Sequence, residues 1–207
     1  MNNIKRTKFN INFLGDSAVG KTSIIKCYKG EEFDEGAIAT IGIDYIMDKR
    51  EIDGKTYTFK IYDTAGQERY KSICVSYLKI ADGFLLVFSV DDKKTFKRII
   101  KWMNEIIESI NPKEKIIYLV GNKIDKNPRE VSNEEAMNFA KENYIRYFET
   151  SAKTGFGVQE LFKNLYQEIY DLNEKQVIKN KKQNKKENIK LDERNVWDKQ
   201  DNSGSFC

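Results

Sequence analysis

Gly15-Asp16-Ser17-Ala18-Val19-Gly20-Lys21-Thr22 fits the pattern G-x-x-x-x-G-K-[ST]. Upstream, Phe9 to Leu14 is apolar at alternate positions, the period of a strand; downstream, Lys21 to Tyr28 reads as a helix. In that context the pattern cradles phosphate. Glycines let the backbone wrap closely, and amides at a helix N-terminus turn partial positive charge toward the oxygens. Gly15, Asp16, Ser17, Ala18, Val19 and Gly20 then form the cradle, with Ser23 beside it. Lys21 reaches the β- and γ-phosphates, and the Thr22 hydroxyl ligates a single Mg²⁺. The bland alternative, a Gly-bearing turn with no ligand, fits the strand before and the helix after less well. The pattern implies a nucleoside triphosphate without choosing the base.

Working outward, strand-like and helix-like stretches alternate as far as Leu172. Asp53-Gly54 signals a hairpin between Ile43–Ile52 and Tyr57–Tyr62. Gly83–Val90 and Ile116–Val120 read as buried strands. Phe96, Ile99, Ile100, Met103, Ile106, Ile107 and Ile110 make a helical apolar face; Ser132 and Glu135 form a capping box; Val158, Leu161, Phe162, Leu165, Ile169 and Leu172 make a last stripe. The order predicts an α/β fold with a mainly parallel sheet. Residues 1–8 read as an N-terminal extension, 9–174 as the domain and 175–207, rich in Lys, Asn, Gln and Glu, as a flexible tail. Asn10 and Asn12 interrupt the first strand, where a central parallel strand is ordinarily apolar on both faces. Two accounts stand: partners on the sheet's second face, or a face partly open to water.

Composition narrows the chemistry. The chain has 207 residues and no histidine, so catalysis falls to carboxylates, hydroxyls, lysine, amides or an oxygen-held metal. A net charge of +4 from 36 basic and 32 acidic residues does not argue for nucleic acid. Cys27, Cys74 and Cys207 have neither disulfide nor zinc spacing, which fits a reduced, cytoplasmic setting. The start, Met1 to Lys8, is polar and basic and lacks the apolar stretch of a signal peptide, and no apolar run is long enough for a membrane span.

Three further segments complete a site. Asp63-Thr64-Ala65-Gly66-Gln67 closes a strand. Asp63 is placed to hold Mg²⁺ through water, the Gly66 amide to donate to the γ-phosphate, and Gln67 to orient an attacking water. Asn122-Lys123-Ile124-Asp125 and Ser151-Ala152-Lys153 each follow a strand. Asp125 can accept two hydrogen bonds from guanine N1–H and its exocyclic amine, a pair adenine lacks, and an unpaired carboxylate penalises the wrong base. Lys123 can lie over the ring, and the Ala152 amide can donate to the guanine carbonyl. Each motif alone also fits an ordinary polar turn.

Together and in this order the four segments resemble the Ras superfamily of small GTPases over about residues 8–173. Thr40-Ile41-Gly42-Ile43-Asp44-Tyr45 and Lys60-Ile61-Tyr62 through Arg69-Tyr70-Lys71-Ser72-Ile73 resemble its Rab family. The resemblance implies a P-loop domain with a six-stranded, mostly parallel sheet, one antiparallel strand and helices on both faces. It implies that Thr40 closes on Mg²⁺ and the γ-phosphate, that Phe33 packs against guanine, and that both switches relax when that phosphate leaves. Ile41, Gly42, Ile43, Tyr45, Tyr62, Tyr70 and Tyr77 fall in its effector surface, with packing as the bland reading of the tyrosines. Relatives more often carry Phe and Trp at the first two tyrosine positions, and Gly at Ala18.

Glu31–Thr40 holds no Arg or Lys, so intrinsic hydrolysis is expected to be slow and to need an activating protein. The resemblance further implies a monomer cycling between GTP and GDP, an exchange factor, effectors, prenylation escort and extraction proteins, and a role in vesicle traffic at the cytosolic face of a membrane. Cys207 is not followed by the residues of a CaaX box, and relatives usually end in paired cysteines; it reads either as a prenylation site or as an inert terminal thiol. The lysines from Lys179 to Lys190 read either as attraction to anionic lipid or as a solvated linker. Rivals are another branch of the superfamily acting in signalling, a GTP-dependent binding module without productive hydrolysis, and a P-loop kinase, which the guanine motif disfavours.

Overall fold

The computed structural model describes residues 6–36, 43–64, 71–110 and 114–201, with backbone alone at 43, 64, 71–75 and 180–201. It divides into two units, residues 7–169 and residues 1–6 with 170–207. In the first unit the strands are β1 (Lys8–Leu14), β2 (Ile43–Ile52), β3 (Lys55–Thr64), β4 (Gly83–Ser89), β5 (Ile116–Asn122) and β6 (Arg146–Glu149). They form one six-stranded sheet in the order β2-β3-β1-β4-β5-β6. Only β2 runs antiparallel; its hairpin turns at Asp53 and Gly54, whose φ values of 50° and 70° suit the tight primed turn that Asp-Gly favours. The expected six-stranded, mostly parallel architecture is therefore present.

The helices are α1 (Lys21–Tyr28), α2 (Lys71–Ile80), α3 (Lys93–Lys97), α4 (Ile99–Ser109), α5 (Asn133–Glu142) and α6 (Val158–Asp201). The N-cap half of the predicted capping box is formed, the Glu135 amide donating to Ser132 Oγ at 3.1 Å, while the Glu135 carboxylate accepts from Lys93 Nζ. Alternation along β1 sends side chains to opposite faces. Phe13 meets Phe162 of α6, which stacks on Tyr28 of α1 at 3.8 Å, while Tyr166 stacks on Phe59 at 4.0 Å. Leu14 joins a second core with Leu78, Phe84, Phe88, Ile99, Trp102 and Ala136.

Three local readings change. The apolar face at 96–110 is cut at Arg98, whose carbonyl accepts from Lys101 N at 3.0 Å as the chain turns from α3 into α4. Its buried centre is Ile99, Trp102 and Ile106, while Ile100 and Ile107 stay 55% and 52% exposed. β5 runs two residues beyond the expected Val120, carrying Asn122 to the strand's end. Where composition predicts a flexible tail from residue 175, the backbone stays helical to Asp201. Lys, Glu and Gln lose little rotamer freedom in a helix, so propensity favours it even though the apolar stripe ends at Leu172.

The two asparagines of β1 take different courses. Asn10 Nδ2 donates to Ile80 O at 3.1 Å. Asn12 is 1% exposed, and neither polar atom of its side chain has a partner among the described residues. A buried unsatisfied amide costs about 1–3 kcal/mol. Asn12→Leu, close in volume and wholly apolar, is expected to raise unfolding stability by about that amount. Urea denaturation should show a higher midpoint with an unchanged slope.

Candidate functional site

The loop between β1 and α1 is shaped by two close backbone approaches. A Cβ on Gly15, at φ 141°, would lie 2.2 Å from Val87 O; one on Gly20, at φ 96°, would lie 2.3 Å from Asn122 Nδ2. Neither position accepts a larger residue without displacing its neighbour. Ala18 lies between them at φ 62°, a left-handed conformation that disfavours any side chain. Gly20 caps α1 without a side-chain hydrogen bond, and no acidic residue of α1's own first turn opposes an anion at this helix start.

Lys21 is 5% exposed and lies along its own loop, Nζ donating to Gly15 O at 2.9 Å and to Asp16 O at 2.8 Å. Thr22 Oγ1 donates to Asp63 Oδ2 at 2.6 Å, joining the start of α1 to the end of β3. These two predicted metal residues therefore meet. Their hard oxygen set suits Mg²⁺, which takes oxygen ligands and retains waters. Asp16 was placed in the cradle by its position. Its carbonyl does face Lys21, but its carboxylate turns outward to Arg98 and Trp102.

The base motifs are joined by Asn122, which is 1% exposed. Its Nδ2 donates to Val19 O at 2.9 Å, while its Oδ1 accepts from Thr150 Oγ1 at 3.1 Å and from the Ala152 amide at 3.3 Å. One side chain thus links the phosphate loop with the loop at Ser151-Ala152-Lys153. The Ala152 amide, expected to face a guanine carbonyl, has this long internal contact. Asp125 is exposed, not buried as the base-rejection argument supposes, and its Oδ1 accepts from the buried Ser151 hydroxyl. Lys123 stands at φ 66° and is half-buried; burial pulls its ammonium below the usual lysine range, with Asp91 opposing the shift. Phe33 is 42% exposed and lines one cleft with Ser23, Cys27 and Ala152. Across that side Lys153 Nζ donates to Glu35 Oε1 at 2.6 Å.

Three of the four tyrosines of the expected effector surface form one chain of rings: Tyr45 to Tyr62 at 6.0 Å and Tyr62 to Tyr77 at 4.9 Å. Only Tyr45 is well exposed, at 49%; Tyr62 is buried. Lys60 Nζ sits 3.6 Å over the Tyr45 ring; the quoted motif begins at this residue but assigns it no role, although strand alternation puts positions 60 and 62 on one face. Thr150, Arg98 and Trp102 were also missed, because their roles come from long-range contacts with no local signature. Thr40, Ile41, Gly42, Gly66, Gln67, Tyr70 and Cys207 lie outside the described residues, and Ile43 is described by its backbone alone.

The Ras family profile matches residues 10–171. Ras-related protein Rab-18-B of Danio rerio is 39% identical, covering 79% of this chain and 80% of that protein. Ras-related protein Rab-11C of Dictyostelium discoideum is 40% identical over 79% of this chain and 73% of its own length. Ras-related protein Rab-13 of Rattus norvegicus is 41% identical, covering 78% and 79%. With a family match over residues 10–171 and relatives of this similarity across most of its length, the chain belongs to the Ras family and is a Rab-like small GTPase, a GTP hydrolase of membrane traffic.

Proposed function

We propose that the loop Gly15–Thr22 with Ser23, the pair Thr22 and Asp63, and the segments Asn122–Asp125 and Ser151–Lys153 form the GTP and GDP site of this GTPase. The observation that carries the reading is the 2.6 Å contact of Thr22 with Asp63 beside a loop that Asn122 ties to the base motif. Ras-family GTPases use Mg²⁺ with their nucleotide, and Thr22, Asp63 and, in the GTP state, Thr40 would hold it here. Bound magnesium supplies positive charge against the phosphate oxygens. Lys21 exchanges its contacts with its own loop for the β- and γ-phosphates, and Gln67 orients the attacking water. Phe33 and Lys123 flank the guanine, while Asp125, oriented by Ser151, accepts from its N1–H and amine.

Without a cationic side chain in Glu31–Thr40, the intrinsic rate is on the order of 10⁻⁴ s⁻¹, and an activating protein that supplies an arginine raises it about 10³–10⁵-fold. When the γ-phosphate leaves, Thr40 and Gly66 lose a shared partner, and the surface of Ile41, Gly42, Ile43, Tyr45, Tyr62, Tyr70 and Tyr77 changes for effectors. Exchange factors, activating proteins and effectors are partners of the family in general. For this chain we add a monomer that escort and extraction proteins move between cytosol and the cytosolic face of a membrane. Among the described residues no helix is long and apolar enough to cross a bilayer. Residues 175–207 act as the tether, Cys207 carrying a prenyl chain and the lysines at 179–190 adding attraction to anionic lipid.

Three outcomes test this. In a competition assay the protein should prefer GTP to ATP, and Asp125→Ala should weaken GTP binding by roughly 10²–10⁴-fold, two hydrogen bonds to a charged group at about 1.5–3 kcal/mol each. In single-turnover assays Gln67→Leu should slow intrinsic hydrolysis by about tenfold, a loss of ~1.4 kcal/mol of transition-state stabilisation; equal rates would remove Gln67 from the mechanism. Protein extracted in detergent from its own cells should carry one prenyl group on the Cys207 peptide by intact mass. An unmodified thiol would leave the GTPase core standing and remove the lipid tether.

A further inference from the structure

Asp16 places a carboxylate in a loop that receives phosphate, where negative charge is unfavourable unless another group compensates it. The side chain is only 12% exposed. Arg98 Nη1 donates to its Oδ2 at 2.6 Å, and Trp102 Nε1 donates to its Oδ1 at 3.3 Å. Each oxygen takes one donor, so the carboxylate is held in orientation as well as in place. The carbonyl of the same residue, with that of Gly15, accepts from Lys21 Nζ. Asp16 therefore joins the phosphate-reaching lysine on one side to the break between α3 and α4 on the other.

That break is what supplies the arginine. Arg98 is the last cap of α3 and the first of α4, and its side chain is 61% exposed, so its charge is set at the loop without being buried in the core. Trp102, one turn further along α4, is 9% exposed and anchored in the second core.

We propose that Arg98, supported by Trp102, is a positioning residue for nucleotide binding that acts through Asp16. It compensates the Asp16 charge beside the phosphates and fixes the Gly15–Asp16 backbone that carries Lys21. The inference rests on the reading of Gly15–Thr22 as the phosphate cradle. Two consequences separate it from a general role in stability. GTP carries one more negative charge than GDP, so loss of the Arg98 charge affects GTP more. Because Arg98 works through Asp16, its removal has no effect once Asp16 is neutral.

The test uses the full chain with magnesium, loaded with a fluorescent GDP or a fluorescent non-hydrolysable GTP analogue and chased with excess unlabelled nucleotide. Arg98→Met is expected to speed release by about three- to tenfold, as for a partly buried ion pair, and more for the GTP analogue. Arg98→Lys, which keeps the charge, is expected to recover most of the loss. On an Asp16→Asn background, Arg98→Met is expected to change release by less than about twofold. A wild-type release rate in Arg98→Met, or the same acceleration in both backgrounds, overturns the inference while leaving the cradle intact. A wild-type protein that binds neither nucleotide overturns the cradle and the inference together.

Discussion

A buried amide with three hydrogen bonds to other parts of the protein holds the site together. Asn122 is almost fully excluded from water, and its three contacts reach Val19 in the phosphate loop and Thr150 and Ala152 in the base loop. Removing it would strand the groups it pairs, and buried polar groups without partners are costly. The same side chain explains Gly20, since a Cβ there would stand 2.3 Å from Asn122 Nδ2. Sheet closure supplies the rest. β1, β4 and β5 are parallel neighbours, so the loops that follow them emerge at one edge, where an open α/β sheet binds its ligand.

Charge at this edge is arranged in pairs. Lys21 faces two carbonyls, Thr22 faces Asp63, Asp16 faces Arg98, and Lys153 faces Glu35. The paired groups are poised for different tasks by their depth. Lys21 and Asp63 are 5% and 7% exposed, so water screens their interactions little, whereas the Lys153–Glu35 pair lies in solvent and contributes little to stability.

Away from the site, partly and fully buried polar groups differ in how well they are satisfied. Asp48 Oδ2 accepts from Tyr28 OH at 2.6 Å, Tyr166 OH at 3.0 Å and Arg50 Nε at 2.9 Å, linking β2 to α1 and α6 through one carboxylate. Burial and these neighbours push the Tyr166 phenol far above its usual range, so it stays a neutral donor. Asn12, under the other face of the sheet, has no such set. The half-buried Asp48 belongs to a completed network, whereas the fully buried Asn12 is a cost the fold carries.

Local pattern decided what this protein is. The strand, glycine loop and helix around Lys21, the acid closing β3, and the Asn-Lys-x-Asp and Ser-Ala-Lys segments are each short runs whose chemistry follows from residue type and spacing. Alternation and periodicity were enough for a mostly parallel sheet with a hairpin at Asp53-Gly54. Tertiary structure alone decided which side chains meet. Asp16 turns away from the cradle because Arg98 and Trp102, 82 and 86 residues later, offer two donors. Asn10 finds a carbonyl while Asn12 does not, Tyr62 is buried while Tyr45 is exposed, and Ile100 and Ile107 fall outside the core that Trp102 enters. The division has a physical reason. Backbone preference and amphipathic period act between residues a few positions apart, so the sequence carries them openly, whereas a hydrogen bond or a packed ring depends on chain segments brought together only by folding.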